Sequence, residues 1–348
     1  MAFFTQIFRS VLEWLYSWMR DYGWATIVFT ILMRMIMLPL DIKNRKGMIK
    51  MQAMQPKIAE LQRKYGNDQQ KLQQKQMQLF REEHYSPLSG CLPLLLTWPI
   101  FIVMLGAMRD ISNELLVKQL FTYISGETPM HDSWLWVKNL WIADSPFSAV
   151  VPTLESLRVI PEGIWTKVVA SLSPEQFSAL IANIPNYTED LLTAAGGLSK
   201  EQLPNTISTL VSAAQLQPAY MDATEMLVKN INLFIANLNI FKHPNGYLIL
   251  PVLAILSQLL MTKFSGMNQQ PAQQGKDAKA NPQQQQSESM NKFMKYFFPI
   301  FTGWICLTSS ASFALYWVTS NIVAGISNYA ITKYYENKKP ATAVSEVK

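Results

Sequence analysis

Residues 296–332 read YFFPIFTGWICLTSSASFALYWVTSNIVAGISNYAIT and contain no Asp, Glu, Lys, Arg or His. This uncharged run exceeds one membrane span of roughly 20 residues, and it is long enough for two short spans joined by a tight turn. We place the turn near Ser309 to Ser312. Only 16% of the chain is charged, whereas an ordinary soluble domain has roughly 25% charged residues. The sequence therefore predicts an integral membrane protein.

Three more apolar segments precede this pair and complete a set of five predicted spans. The first lies at 23–41, the second at 87–110 and the third at 246–263, and the fourth and fifth share 296–333. The apolar part of the first span, 24–40, would extend about 26 Å as a helix, against a hydrocarbon core of about 30 Å. We therefore predict an all-α polytopic membrane protein that thins the bilayer locally.

The N-terminal residues 1–22 predict a helix that lies along the membrane surface. Apolar residues recur there at helical spacing, and charged or hydroxyl residues fall between them. The apolar set is Phe4, Ile7, Phe8, Val11, Leu12, Leu15, Trp18 and Met19, and the polar set is Arg9, Glu13, Ser17 and Arg20. An apolar stripe beside a polar stripe is typical of an amphipathic interfacial helix.

The distribution of basic residues predicts the orientation of the spans. Residues 41–85 carry ten Lys and Arg against five acidic residues, whereas residues 109–245 carry eight against thirteen. Short basic loops stay in the cytoplasm, while long regions cross the membrane largely regardless of their charge. We therefore place the N-terminus and the region 111–245 outside, and the C-terminus in the cytoplasm.

Three cytoplasmic segments follow from this topology. The connection 42–86 has two apolar helical stripes separated by Gly66-Asn67-Asp68, so we predict a cytoplasmic helical hairpin. The Gln-rich stretch 264–295 predicts a flexible loop. Residues 334–348 form a short cytoplasmic tail.

The external region 111–245 is long enough for a small helical subdomain. Leu172-Ser173-Pro174-Glu175-Gln176 and Leu198-Ser199-Lys200-Glu201-Gln202 each place Gln three residues after Ser, which is the pattern of a capping box at a helix start. We expect two similar amphipathic helices that pack together or, alternatively, meet a partner. An interfacial aromatic belt is predicted upstream, formed by Trp134, Trp136 and Trp141.

The residues available do not support an enzymatic function. His84, His131 and His243 lie outside the predicted spans, and no Asp or Glu lies within their apolar cores. No HExxH, GxSxG or Walker sequence occurs. Cys91 and Cys306 offer neither a metal-binding spacing nor a disulfide framework. We predict a protein without catalytic residues, metal ion or cofactor.

Arg34 is the one full charge inside the apolar cores of the spans. It lies about 14 Å of helix before Lys43, and a charge at that depth is unfavourable by a few kcal/mol or more. In one interpretation its side chain extends to the cytoplasmic headgroups. In the other, which we favour, it faces a polar cavity open to the cytoplasm, with the hydroxyl of Thr30 one turn earlier on the same face. Its partner would then be an anion from outside the spans.

Several stretches resemble the YidC family of membrane protein insertases, in the family's order along the chain. They cover about 1–110 and 245–335. The matching sequences are Phe29-Thr30-Ile31-Leu32-Met33-Arg34 with Leu38-Pro39-Leu40, then Met54-Gln55-Pro56-Lys57-Ile58, then Pro87-Leu88-Ser89-Gly90-Cys91-Leu92-Pro93-Leu94-Leu95 continuing to Pro99-Ile100-Phe101, then Gly246-Tyr247-Leu248-Ile249-Leu250-Pro251, and finally Leu315-Tyr316-Trp317-Val318-Thr319-Ser320-Asn321. The chain departs from the family in its long external region.

The resemblance implies five core helices around a hydrophilic groove that is open to the cytoplasm and to lipid but closed on the outside. Arg34 and Thr30 would line this groove, and Trp317 and Phe101 would lie on an apolar slide that incoming helices contact. Gln258 lies about one turn before the position where family members often carry Gln, and it would take that role. The implied function is to insert newly made membrane proteins and help them fold, alone or with the Sec translocon.

The resemblance also implies partners and a location. The clients would be nascent membrane proteins. Further candidate partners are the Sec translocon, the ribosome and targeting factors. The basic hairpin would contact anionic lipids. Direct binding of nucleic acid is not expected, and the location would be the bacterial plasma membrane. The alternative function is a small-solute transporter or channel. That class is typically marked by inverted repeats or Gly-interrupted helix pairs, which the five spans lack.

Overall fold

The computed structural model describes residues 2–66, 68–85, 92–188, 191–192, 202–233, 236–264 and 293–337. Most of these residues are helical, and the chain divides into two compact units. The first unit comprises Met1–Phe29, Val103–Leu253 and Gly303–Tyr316, and the second comprises Thr30–Ile102, Ala254–Thr302 and Trp317–Lys348. Several long helices contribute residues to both units.

Two helices at the start of the chain are separated by a sharp break. Helix α1 spans Ala2–Met19 and helix α2 spans Tyr22–Tyr65. Between them Arg20 has a φ of 56°, a left-handed conformation that a regular helix does not contain. Asp21 then caps α2, because its Oδ1 accepts hydrogen bonds from the N–H groups of Gly23 at 2.8 Å and Trp24 at 3.0 Å.

Helix α2 is a single helix of 44 residues. It runs through the predicted boundary between the span at 23–41 and the hairpin at 42–86, so the first arm of the hairpin is a continuation of the span. Pro39 and Pro56 lie inside it, and each removes one backbone donor without ending the helix. The second arm is helix α3, Gln69–Glu82. Asp68 caps that helix through a 3.0 Å hydrogen bond from the N–H of Lys71.

A small apolar cluster in the second unit holds the two arms of the hairpin together. Its buried members are Met54, Ile58 and Tyr85, and Met51, Leu79 and Phe80 pack against them. Lys57 also donates a hydrogen bond of 2.6 Å to Glu83, which lowers the pKa of the Glu83 carboxyl group. This ion pair is exposed, so it stabilises the hairpin much less than the apolar cluster does.

Helix α4 spans Leu92–Ile124, so the external region predicted at 111–245 begins inside a helix. Among the described residues, five short helices follow in the first unit: α5 (Leu154–Arg158), α6 (Glu162–Ala170), α7 (Pro174–Ala182), α8 (Leu203–Gln215) and α9 (Pro218–Ala223). Ser173 and Gln176 form the predicted capping box at the start of α7. Helix α8 follows Gln202, its N-cap residue. The second predicted box depends on Ser199, which lies outside the described residues.

The first unit also contains two strands, which the prediction of an all-α protein omitted. Strand β1 (Met226–Leu233) pairs with strand β2 (Ala236–Phe241) in an antiparallel hairpin. The register shifts between Met226 and Val228 and again between Val228 and Ile231. These irregularities break the strict alternation of apolar and polar residues by which a strand is recognised in a sequence.

The short helices bury apolar residues within the first unit. This favours the prediction that they pack together over the alternative that their apolar faces meet a partner. Ile207, Leu210 and Val211 of α8 are all buried. The largest fully buried side chains of the unit include Trp141, Trp165 and Tyr220. The interfacial role predicted for Trp141 is therefore wrong. Its ring is 1% exposed, and its Nε1 donates a hydrogen bond of 2.6 Å to Asp132.

Helix α1 is attached to the first unit by an ionic network centred on Glu114 of α4. The carboxylate accepts hydrogen bonds from Arg9 of α1 and from Lys167 of α6. Burial acts to raise the pKa of Glu114, but the bonds from Arg9 and Lys167 outweigh it and lower the pKa. Glu114 is 4% exposed, and these two cations compensate its burial.

Three helical segments follow in the described ranges 236–264 and 293–337. Helix α10 spans Ile249–Phe264, a π-helical turn at Phe293–Phe297 leads into helix α11 (Phe298–Thr308), and helix α12 spans Ala311–Asn337. The break between α11 and α12 lies at Ser309 and Ser310, within the turn predicted from the sequence. Ser310 caps α12, because its Oγ accepts a hydrogen bond of 3.4 Å from the N–H of Phe313.

The start of α10 is fixed by Asp144, a fully buried carboxylate of the first unit. Its oxygens accept hydrogen bonds of 2.7 Å from the N–H groups of Tyr247 and Leu250, and one of 3.1 Å from Nε1 of Trp136. Gly246 is required beside it, because a Cβ atom at that position would overlap the Asp144 side chain. The carboxylate thus combines the roles of helix cap and dipole partner.

By length and composition, one helix among the described residues, α2, is long and apolar enough to cross a membrane. The segment Ile249–Lys263 of α10 is apolar but shorter. The structure is therefore mostly helical with one clear apolar span, and the arrangement of five spans stays a prediction.

Replacing Asp144 with Ala should destabilise the first unit by about 2 kcal/mol or more, because two backbone N–H groups and an indole N–H lose a buried, charged acceptor. Equilibrium unfolding of the detergent-solubilised protein measures the change. Asp222→Ala is the matched control, since Asp222 is an exposed acid of the same unit that pairs with Lys242 at 3.3 Å; its effect should stay below about 0.5 kcal/mol. Equal effects of the two substitutions would contradict the capping role.

Candidate functional site

Helices α2 and α12 lie side by side in the second unit, joined by two arginine–hydroxyl hydrogen bonds. Arg34 contacts Ser320 and Arg45 contacts Thr332, so the partners are 286 and 287 residues apart. A nearly constant separation means that the two helices run parallel and in register. The first unit has the same register, where Thr26 and Ser312 are 286 residues apart and their hydroxyls lie 3.3 Å from each other.

Arg34 is half-buried, and its guanidinium is bound to a hydroxyl group. Its Nε donates to the Oγ of Ser320 at 2.8 Å, and its terminal nitrogen donates to the same oxygen at 2.5 Å. Within the described ranges, no carboxylate forms an ion pair with Arg34. A hydroxyl can orient and partly stabilise a cation, but it leaves the net charge in place. The Asp41 carboxylate, two helical turns later on α2, interacts with Arg34 at longer range, so the charge of Arg34 is partly offset but is not neutralised by an ion pair.

Thr30, predicted beside Arg34, lies one helical turn earlier on α2 and is fully buried. Thr26, a further turn earlier, is also fully buried. Hydroxyl-bearing residues at this spacing share one face of the helix. The spacing of four residues places Thr30 and Arg34 on one face of α2, as predicted. The buried side chain of Thr30 indicates that this face is turned toward the protein.

Two aromatic residues predicted to lie on an apolar slide are in contact with each other. The rings of Phe101 on α4 and Trp317 on α12 meet edge to face with centroids 5.0 Å apart, which is a favourable geometry for an aromatic pair. Phe298 at the start of α11 lies 6.4 Å from Trp317. Because Trp317 precedes Ser320 by three residues, this aromatic cluster lies one helical turn along α12 from the position that holds Arg34.

Gln258 of α10 is 1% exposed, and its Oε1 finds no hydrogen-bond partner among the described residues. Its neighbour Ser257 accepts a hydrogen bond of 3.3 Å from Nδ2 of Asn321, so α10 packs beside α12 at the residue that follows Ser320. The contact with the polar row on α12 is thus made by Ser257, and among the described residues no hydrogen bond joins Gln258 to Arg34. A buried amide oxygen without a partner is unfavourable unless a ligand or water satisfies it.

The sequence predicted no individual role for the residues that complete this polar row, which are Ser320, Asn321, Ser257 and Arg45. Arg45 entered only the count of ten basic residues in 41–85, yet it is 4% exposed. It follows Arg34 by about three helical turns, so both arginines lie on the same face of α2. A search for charged residues at helical spacing along α2 would have grouped them. Among the described residues, no group of three His, Cys, Asp or Glu side chains could hold a metal ion.

Comparison with known proteins identifies the family. The family model of the 60Kd inner membrane protein matches residues 14–186 and 206–339. The chain belongs to this family. The resemblance predicted from the sequence is thereby confirmed, and the family is one of inner membrane proteins.

Curated relatives of the family carry the name membrane protein insertase YidC. The protein of Clostridium tetani is 41% identical over 120 residues, which cover 34% of this chain and 48% of the relative. That of Clostridium perfringens is 37% identical over 137 residues, covering 38% and 50%. That of Anaeromyxobacter dehalogenans is 30% identical over 216 residues, covering 60% and 35%. The matches therefore span half or less of the length of these relatives.

The hydrogen bond between Arg34 and Ser320 predicts energetic coupling between the two side chains. In a double-mutant cycle with Arg34→Leu and Ser320→Ala, we expect a coupling of about 1–2 kcal/mol, since hydrogen bonds to charged groups are stronger than neutral ones. Equilibrium unfolding in detergent gives the four free energies. Ser320→Thr, which keeps a hydroxyl group, is the control for the altered side-chain volume. Additive single effects would show that the bond does not form.

Proposed function

We propose that this chain inserts newly made membrane proteins into the bilayer through a hydrophilic groove around Arg34. The observation that carries the proposal is the positive charge of Arg34, which is oriented by Ser320 and forms no ion pair with a carboxylate among the described residues. A charge without an ion pair on an apolar helix is unfavourable and is retained where it has a function. The names of the family's curated relatives support the same activity.

In this mechanism the charge and the aromatic cluster act in sequence on the client. An acidic segment of the client is drawn toward Arg34, and the hydroxyl of Ser320 is exchanged for a carboxylate, which is the stronger hydrogen-bond acceptor for a guanidinium. The apolar segment that follows contacts Phe101 and Trp317 and then partitions into lipid. No nucleotide hydrolysis is needed, because burial of the apolar segment is itself favourable.

The proposed topology has the N-terminus outside, five spans, the groove open to the cytoplasm, and the hairpin of α2 and α3 in the cytoplasm. The basic character of residues 41–85 supports this orientation. Gln258 would offer its buried amide oxygen to a backbone N–H of the client within the groove. The Sec translocon, the ribosome, targeting factors and anionic lipids are proposed partners, and the hairpin is the surface on which we place them. No observation favours the alternative of a solute transporter.

Arg34→Ala should strongly reduce the insertion of clients whose translocated segment is acidic, because the groove loses the charge that attracts them. Arg34→Lys should retain much of the activity, since it keeps the charge but not the paired donors. Complementation of an insertase-depleted bacterial strain at native expression, together with protease-protection assays on clients, measures the effect. A second client with its acidic residues neutralised should be far less sensitive to the substitution.

Lys43→Ala is the matched control for the Arg34 variants, because it removes a positive charge from an exposed position on the same helix. It should leave insertion unchanged. Full complementation by Arg34→Ala, at an abundance equal to that of the unaltered protein, would refute the proposed role of the charge.

The hairpin should be needed for activity but not for membrane integration. Replacing residues 48–81 with a short Gly/Ser linker removes most of both arms while keeping Arg45 and its 2.8 Å bond to Thr332. We expect the variant to fractionate with the membrane yet fail to complement. Ile58→Asp should reproduce part of the defect, because it places a charge in the buried cluster between the arms. Full activity of the linker variant would show that the hairpin only sets the orientation of the spans and takes no part in insertion.

A further inference from the structure

A tight turn at residues 134–137 presents an exposed leucine on the first unit. The N–H and carbonyl groups of Trp134 and Val137 exchange two hydrogen bonds of 2.9 Å, so Leu135 and Trp136 form the tip. Leu135 has a φ of 50° and is 70% exposed. A two-residue turn with a positive φ at its first tip position favours Gly there. A turn in water would therefore be better served by glycine than by leucine.

The residues next to Leu135 are fixed by burial and by hydrogen bonds, and these contacts hold the side chain of Leu135 at the surface. Val137 is fully buried, and Trp136 donates its Nε1–H to the buried Asp144. The next residue, Lys138, donates its backbone N–H to the carbonyl of Asn245 at 3.1 Å. A single exposed leucine is ordinary on a protein surface, so the environment of Leu135 has to be inferred from the residues beside the turn.

The turn contacts the first residues of α2, where the apolar segment of that helix begins. The ring of Trp134 lies directly over Gly23, where a Cβ atom would overlap it. The same ring meets Trp24 edge to face with centroids 5.9 Å apart. Trp24 lies in the first turn of α2, at the start of its apolar segment, and is 49% exposed. Tryptophan at the end of a span is typical of the boundary between headgroups and acyl chains.

Helix α1 supplies a second apolar surface on the same unit. Its exposed residues recur at helical spacing and include Phe4, Ile7, Val11, Trp14 and Trp18. Arg9, on the other side of the helix, is bound to Glu114. The helix therefore packs Arg9, Leu12 and Leu15 against the unit and leaves a second set of apolar side chains exposed, which can meet a bilayer interface.

We propose that the turn at residues 134–137 inserts Leu135 into the phospholipid leaflet in which α2 begins. The leaflet is continuous with the surface marked by Trp24, so the apolar tip meets the boundary between headgroups and acyl chains. The turn thereby anchors the first unit to the membrane independently of α1. This inference rests on α2 being a membrane span, and it does not depend on insertase activity.

The test uses the full chain, with Cys91 and Cys306 replaced by Ala, reconstituted into phosphatidylethanolamine and phosphatidylglycerol vesicles. Leu135→Cys carries an environment-sensitive fluorophore. We expect its emission to shift to shorter wavelength and its quenching by nitroxide-labelled lipid to exceed several-fold that of the same label at Leu216→Cys. Leu216 is the matched control, because it is 64% exposed on the same unit and lies outside the turn.

A label at Ile36→Cys separates failure of this inference from failure of the span assignment. Ile36 is 73% exposed on the apolar part of α2, so lipid must quench it if α2 spans the bilayer. Quenching at Ile36 with a water-accessible label at Leu135 would overturn the inference alone. A label at Leu135 that is shielded from both lipid and aqueous quenchers would also overturn it, since the tip would then be covered by protein. Quenching at both sites supports it.

Discussion

A guanidinium group on an apolar helix needs a polar partner within reach, and the packing of the second unit is arranged around that need. Ser320 can serve Arg34 only if α12 runs parallel to α2 with a separation of 286 residues. The bond between Arg45 and Thr332 keeps almost the same separation about three turns further on. Serine and threonine are short, so the helices must approach closely at both contacts. The register of the pair is therefore set by hydrogen bonds that apolar packing alone would not specify.

The choice of a hydroxyl over a carboxylate has a functional consequence. A buried carboxylate would neutralise Arg34 and form a pair that is difficult to separate. A hydroxyl fixes the direction of the guanidinium while leaving its charge available. The first unit shows the opposite solution at Glu114, where two cations surround one carboxylate. The same chain thus uses an ion-paired charge to attach helices, and a charge without an ion pair where a mobile partner is proposed to bind.

The sequence predicted much of this arrangement because apolar periodicity and isolated charge are strong signals. Arg34, Phe101 and Trp317 were named from the sequence, and their place in a groove stays a prediction. Ser320 was not recognised, because a serine in a helix has no pattern of its own until the register of the neighbouring helix is known. Arg45 was missed for a related reason. Counting the charges of a loop does not reveal which of them a helix turns inward.

Other predictions failed because the same residue or pattern is compatible with two different structural environments. A tryptophan suits a membrane interface and a protein core equally well, and Trp141 proved to be in the core. The continuity of α2 was hidden by Pro39 and Pro56, which usually end helices and here do not.

That continuity determines how far the hairpin reaches. From Leu40, where the apolar segment ends, to Tyr65 at the end of α2, the helix extends about 38 Å along its axis. Measured from Arg34, the end of the hairpin lies about 46 Å further along the helix, a distance greater than the thickness of the hydrocarbon core. In the proposed mechanism, a partner bound at the far end would meet a client before the client reaches Arg34. The length of the helix would then separate the two encounters in time.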